Sequence, residues 1–272
     1  MSSGGNKPLT PLFAHPLEVS SGMTVSDLNR YLPAIRGADD IQMEKDQMRE
    51  GLFHVDGAKG LENLPENSID LVIADPPETP MKRTNDHKTH FTLQEYYQWN
   101  ERWITEVKRV LKSTGAIYLL SGWRLSGMYH SLLSSYFHVQ SRITWRNEHA
   151  GDQPRIQTWT NTIGDIWFAT KTNEFMINQR SAGKSAAAIG KKQINFWADI
   201  LHTQHSSDYG DKPESLIQRI LNVSSFKLNW VLDPFMGNAG VGIVAKKMGR
   251  RFIGFETDQD KLLMAMKRMD KT

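Results

Sequence analysis

Cysteine is absent from all 272 residues. Disulfides, thiolate zinc sites and iron–sulfur clusters are therefore excluded, and a reducing compartment is permitted. Long apolar runs are missing too. None approaches the roughly 20 residues a bilayer span requires, so no transmembrane helix or membrane partner is expected. The start, Met1-Ser2-Ser3-Gly4-Gly5-Asn6, has neither the basic nor the apolar region of a secretory signal, and the expected location is cytoplasmic. Charge of one sign is not in excess. Lys and Arg total 33 against 30 Asp and Glu, a net +3, which suits a polyanionic partner without demanding one. No metal site is assigned.

What is present is an alternation of strand and helix patterns. Residues 1–50 read as an N-terminal extension: prolines and small residues first, then a short helix from Thr24 to about Ala34. Gly51 to Gly57 reads as a strand ending in Asp56-Gly57. A helix and then a second strand, Ile69 to Ala74, complete a βαβ unit. That second strand is a continuous apolar run, as expected for one buried on both faces. Residues 78–90 are expected to be a polar loop. Thr92-Leu93-Gln94-Glu95 is a capping-box pattern, and apolar residues recur at helical spacing from Tyr96 to Leu111. Further strand and helix patterns run to Thr170, and together they predict a mostly parallel sheet covered on both faces. Residues 171–208 break this rhythm and carry five basic against three acidic residues, a candidate target-recognition insert. The chain holds 8 tryptophans. Trp123, Trp145 and Trp159 lie in polar surroundings, where a ring can stack on a base or pack in the core.

Two strand ends concentrate chemistry. Asp75-Pro76-Pro77-Glu78 stops the second strand, because neither proline donates an N–H and each restricts the residue before it. A carboxylate and stiff carbonyls are left at the carboxyl end of a strand, the edge where open α/β sheets bind ligands. Far downstream, Val231-Leu232 leads into Asp233-Pro234-Phe235-Met236-Gly237-Asn238-Ala239-Gly240, a small-residue strand-to-helix turn. The next strand, Arg251 to Phe255, ends in Glu256 and Thr257, where a carboxylate is placed to accept both hydroxyls of a ribose. That turn is neither G-x-G-x-x-G nor a G-K-[ST] loop, so a nucleoside without a pyrophosphate suits it better.

Taken in order, Asp75-Pro76-Pro77-Glu78, Asp211-Lys212-Pro213-Glu214, Asp233-Pro234-Phe235-Met236-Gly237 and Phe255-Glu256 resemble the S-adenosylmethionine-dependent DNA amino-methyltransferases of the β group. In that group a catalytic half precedes the recognition segment and the cofactor half, a circularly permuted order. The resemblance covers about Val55 to the C-terminus. It implies a Rossmann-like methyltransferase domain over residues 51–272, acting on double-stranded DNA with S-adenosylmethionine. It implies that Asp56, Asp75, Lys212, Pro213, the Asp233–Ala239 turn (Phe235, Met236, Gly237 and Asn238 included), Glu256 and Thr257 hold the cofactor. It also implies that Asp75 and the Pro76 carbonyl, within the set Asp75, Pro76, Pro77 and Glu78, face the exocyclic amine of a flipped base. Asp rather than Ser at position 75 resembles the adenine-N6 subgroup more than the cytosine-N4 subgroup. Two positions depart from the family pattern. Glu78 stands where an aromatic residue usually stacks on the base, and Ala239 replaces a usual glycine. A weak or inactive DNA-binding subunit of the same fold is the alternative that Glu78 raises, with Trp123 a candidate to replace the missing ring. The recognition segment is short, so a homodimer or a partner subunit is a further expectation.

Overall fold

The computed structural model describes residues 22–78, 81–84, 87–147, 159, 161–178, 188–189, 192–200 and 211–272. Its centre is an eight-stranded sheet in the order β1-β12-β11-β2-β5-β7-β6-β10. These strands are β1 (Gly51–His54), β2 (Ile69–Ala74), β5 (Leu111–Ser121), β6 (His138–Arg146), β7 (Ile163–Thr170), β10 (Phe196–Trp197), β11 (Trp230–Asp233) and β12 (Arg251–Glu256). All neighbouring pairs are parallel except those of β7, which runs antiparallel to β5 and β6. Two hairpins complete the set: β3 (Met81–Thr84) with β4 (His87–His90), and β8 (Ala188–Ile189) with β9 (Lys192–Gln193). The first hairpin corrects the expectation of a polar loop after Glu78. Its residues form a strand pair, one on each side of Asn85-Asp86, residue types that suit a two-residue turn.

Seven helices are described: α1 (Val25–Tyr31), α2 (Gly57–Glu62), α3 (Leu93–Val110), α4 (Trp123–Tyr136), α5 (Glu214–Ser224), α6 (Gly240–Lys247) and α7 (Gln259–Asp270). Residues of α2, α3 and α4 share one core layer, and residues of α5, α6 and α7 share the other. The sheet is thus covered on both sides, which is why β2 reads as unbroken apolar sequence. Ile69, Leu71, Val72, Ile73 and Ala74 are all buried. The capping box that opens α3 is formed. Thr92 Oγ1 accepts the Glu95 N–H at 3.2 Å, and Glu95 Oε2 accepts the Thr92 N–H at 2.8 Å. The helix buries a stripe from Tyr96 through Trp103 and Val107 to Val110. Within it, buried Asn100 donates to the Tyr96 carbonyl at 2.8 Å and accepts the Trp103 indole N–H at 3.0 Å, so no polar atom there is stranded.

Helix α7 lies beyond the last strand that the sequence reading identified. Asp258 caps it, accepting from the Asp260 and Lys261 amides. Its Leu263 packs against Leu28 and Tyr31 of α1. Residues 22–50 therefore lie against the fold: the Arg36 carbonyl accepts the His54 N–H at 2.7 Å, and Ile41 is part of the core. No helix among the described residues is long and apolar enough to cross a membrane.

Chain connections place the crevice. From β2 the chain passes through α3 to β5 on one side; from β11 it passes through α6 to β12 on the other. Strands β2 and β11 are adjacent, so the direction of winding reverses between them, and a ligand crevice opens outside their carboxyl ends. A close contact supports the β11–α6 turn there. An added Cβ on Gly254 would lie 2.4 Å from Met236 Sδ and 2.8 Å from the Phe252 ring. Gly254→Ala is expected to cost about 1–3 kcal/mol through overpacking, read as a lower midpoint in urea unfolding at unchanged slope.

Candidate active site

Asp75 and Asp233 emerge from adjacent strands whose residues are 158 positions apart, counted as 233 − 75. Asp75 is exposed, and its Oδ2 accepts the Lys212 ammonium at 2.5 Å. Burial alone would lower the Lys212 pKa, but the carboxylates of Asp75, Glu78 and Asp233 outweigh it and hold that pKa above its usual value. Pro213 is buried and begins α5, with its carbonyl accepting the Leu216 N–H at 3.0 Å. The prolines of the loop are fixed from behind. Tyr96 donates its hydroxyl to the Pro77 carbonyl at 2.9 Å, and the Tyr96 and Tyr129 oxygens are 2.8 Å apart. Burial raises the pKa of both tyrosines, so they stay protonated and keep the clamp.

Asp233 is buried at the end of β11, with its Oδ1 accepting the Phe235 N–H at 3.0 Å. Burial, opposed by that hydrogen bond and reinforced by Asp75, Glu256 and Asp211, pushes its pKa up to about 8. The turn that follows takes left-handed backbone twice, at Gly237 (φ 52°) and Ala239 (φ 61°). Ala239 is fully buried as the N-cap of α6, and Met236 is buried beneath the turn. These two offer the crevice backbone rather than side chain. Phe235 also turns inward, its ring 5.4 Å from Trp99 and 5.2 Å from Trp103. Arg268 of α7 holds the turn from outside, donating to the Asn238 carbonyl at 2.6 Å and to Asp211 Oδ2 at 2.5 Å.

On the next strand Glu256 is half-buried, and its Oε1 accepts the Asp258 N–H at 2.8 Å. The Thr257 carbonyl lies 2.9 Å from His54 Nε2, which ties β1 to the end of β12. Asp56 is exposed and caps α2, accepting from Ala58 and Lys59 amides at 3.0 and 3.3 Å. Behind Asp56, Gly57 closes on the cofactor turn: an added Cβ there would lie 2.6 Å from the Pro234 carbonyl oxygen.

Glu78 does not point back at Asp75. Its Oε1 accepts the Gly122 N–H at 3.0 Å, at the N-terminus of α4. Gly122 is the cap residue of that helix and offers no side-chain acceptor, so the Glu78 carboxylate supplies one where helix dipoles favour negative charge. Asp75, Glu78 and Lys212 line a cavity of about 400 Å³ together with Ser121, Trp123 and Trp145. Asp165 lines it too, held in a fork by Arg142 at 2.9 and 2.8 Å.

The sequence reading thus brought together Asp75, Lys212, Asp233 and Glu256, but left out Arg268, the two tyrosines, Ser121 and Asp165. Arg268 and the tyrosines sit on helices and carry no motif. Asp165 lies within a strand pattern that reads as plain core. Trp145 is buried beside this cavity, Trp123 is half-exposed at it, and Trp159 is almost fully exposed. Much of the basic insert, including Lys184 and Lys191, lies outside the described residues. Within it Lys171 has a structural task, donating to the Leu111 carbonyl at 2.6 Å and to Asn67 Oδ1 at 2.7 Å.

The residues present suit S-adenosylmethionine. A buried carboxylate among further acids favours a cation, a carboxylate at a strand end favours a ribose diol, and a turn of small residues lets backbone approach a nucleoside. Glu256→Ala is expected to weaken cofactor binding about tenfold, the worth of a charge-assisted hydrogen bond, as read by titration calorimetry.

Comparison with known proteins agrees. The N6/N4 DNA methylase family model matches residues 69–267. The Type II methyltransferase M2.DpnII of Streptococcus pneumoniae is 27% identical over 251 residues, covering 80% of this chain and 89% of that protein. The DNA adenine methyltransferase YhdJ of Escherichia coli is 26% identical over 241 residues, covering 80% and 82%. Among solved structures, the DNA modification methylase TTHA0409 of Thermus thermophilus, complexed with S-adenosyl-L-methionine, superposes with a TM-score of 0.63 at 20% identity, covering 82% of this chain and 93% of that one. A crevice at the winding reversal, a catalytic half ahead of a cofactor half, and a family match over most of the chain lead to one conclusion: the chain belongs to the N6/N4 family of S-adenosylmethionine-dependent DNA methyltransferases.

Proposed function

We propose that this enzyme methylates the N6 amine of an adenine flipped out of double-stranded DNA, with Asp75 and the Pro76 carbonyl holding the amine. The observation that carries the reading is the placement of Asp75: at the winding reversal, one strand from Asp233, and on the wall of a cavity of about 400 Å³. An exocyclic amine is a poor nucleophile because its lone pair is delocalised into the ring. A carboxylate and a carbonyl that accept its two N–H bonds draw the nitrogen toward sp³ and localise that pair. Lys212 occupies Asp75 Oδ2, so Oδ1 is the oxygen that meets the base. Bound S-adenosylmethionine supplies a methyl group already activated by its sulfonium, which leaves positioning as the protein's main task. The Tyr96–Pro77 bond contributes to it by fixing the loop behind Asp75. Extrusion of the base from the stack costs a few kcal/mol and requires a pocket, which the cavity provides. Adenine is favoured over cytosine by Asp at position 75, and YhdJ, named for adenine, is among the relatives. The short recognition segment suits a homodimer or a partner subunit for reading sequence.

The test is the product. Wild-type protein, tritium-labelled S-adenosylmethionine and unmethylated duplex DNA are incubated, and the DNA is digested to nucleosides. Label in N6-methyladenosine is the expected result. Label in N4-methylcytosine would overturn the base assignment, and cofactor binding without any label would favour a DNA-binding subunit.

A further inference from the structure

We infer that Trp123 is the surface on which the flipped base stacks, and that Glu78 serves as the residue that positions it. This inference rests on the base-flipping reading above. Trp123 is the first residue of α4 and is 53% exposed, an unusual state for the largest apolar side chain. It lies on the wall of the same cavity as Asp75. The Arg124 guanidinium rests against its ring, 5.6 Å from the centroid, and so supports the ring and brings positive charge to the cavity.

Glu78 fixes where that ring begins. Its carboxylate holds the N–H of Gly122, the residue before Trp123, and so joins the Asp75 loop to the helix that carries the tryptophan. The junction is tight. An added Cβ on Gly122 would fall on Glu78 Oε1, closer than any real contact. The ring and the carboxylate that accepts the amine are thereby set at a fixed separation through two residues rather than one. Beside them Ser121 Oγ is buried with no hydrogen-bond partner among the described residues, and Ser121 lines the same cavity. A buried hydroxyl is seldom left unpaired, so this one points to a polar ligand edge that completes it.

Stacking is worth about 1–3 kcal/mol per base, or roughly 5- to 150-fold. Trp123→Leu keeps bulk and helix propensity but removes the aromatic face. It is expected to lower kcat/KM on unmethylated duplex DNA by about 10- to 100-fold, with cofactor affinity and thermal midpoint unchanged. Trp123→Phe is expected to restore the rate to within about threefold of wild type. Glu78→Ala is expected to lower the rate about tenfold, and Glu78→Gln, which keeps an acceptor for the Gly122 N–H, to hold most of it. Wild-type kinetics in Trp123→Leu, or equal defects in the Leu and Phe variants, would overturn the inference while leaving the methylation reading intact. Absence of label on DNA with the wild-type protein would overturn that reading and this inference together.

Discussion

Asp75→Ala is expected to lower methyl transfer to DNA about a thousandfold while cofactor affinity stays within about fivefold of wild type. The asymmetry follows from position. Asp75 lines the cavity on the catalytic side, whereas Asp233 and Glu256 end the two strands on the other side of the winding reversal. The Ala variant also removes the partner of Lys212, whose ammonium then faces Glu78 and Asp233 alone. Asp75→Asn separates the two consequences. It preserves shape and one acceptor oxygen but not the charge, and is expected to fall between wild type and Ala, at about a hundredfold below wild type. Single-turnover label transfer, set beside calorimetric cofactor titration, checks both numbers. Equal losses of transfer and of cofactor affinity would place Asp75 in the cofactor site instead.

Cofactor affinity is expected to rise with pH, by up to tenfold per unit, until about pH 8, and then to level off. Asp233 is the cause. Burial first, then the neighbouring carboxylates, push its pKa up to about 8 against the pull of the Phe235 N–H. Below that pH the empty site holds a proton on Asp233. The sulfonium cofactor favours the ionised carboxylate, so binding expels the proton, and proton-expelling binding strengthens as pH rises. Above about 8 no proton remains to expel. Asp233→Asn is expected to remove this component of the pH dependence and to weaken binding at pH 8 by about 10- to 100-fold, the range for a hydrogen bond to a charged group. Calorimetry in buffers of different ionisation enthalpy counts the protons directly, and the difference between wild type and Asp233→Asn isolates this group. The same displaced pKa has a second sign. The folded apo protein retains a proton that the unfolded chain releases above about 4, so this group's contribution to stability is fully present below about pH 4 and is lost as pH rises to about 8.

The elements legible in the sequence are those whose local pattern and tertiary role coincide. β2 is buried on both faces and reads as continuous apolar sequence; α3 is half-buried and reads at helical spacing between a capping box and its end. The two acidic strand ends were legible because proline and small residues mark where a strand must stop. Three other features depended on contacts that no local pattern encodes. Helix α7 has an apolar stripe interleaved with charge, and its role as the support of the cofactor turn rests on Arg268 reaching Asp211, 57 residues away. Met236 sits within the motif, yet Gly254 leaves room beneath it and the side chain turns into the core. Glu78 reads as a misplaced acid beside Asp75, because its partner is a backbone N–H 44 residues on.

The central claim is that the two distant acidic strand ends form one methyl-transfer site. A structure of the wild-type protein soaked with S-adenosylhomocysteine tests it most directly. The account predicts density against Asp233, Gly237 and Glu256, with its sulfur end open to the cavity that Asp75 and Trp123 line. Density bound elsewhere, or bound there but walled off from Asp75, would contradict it.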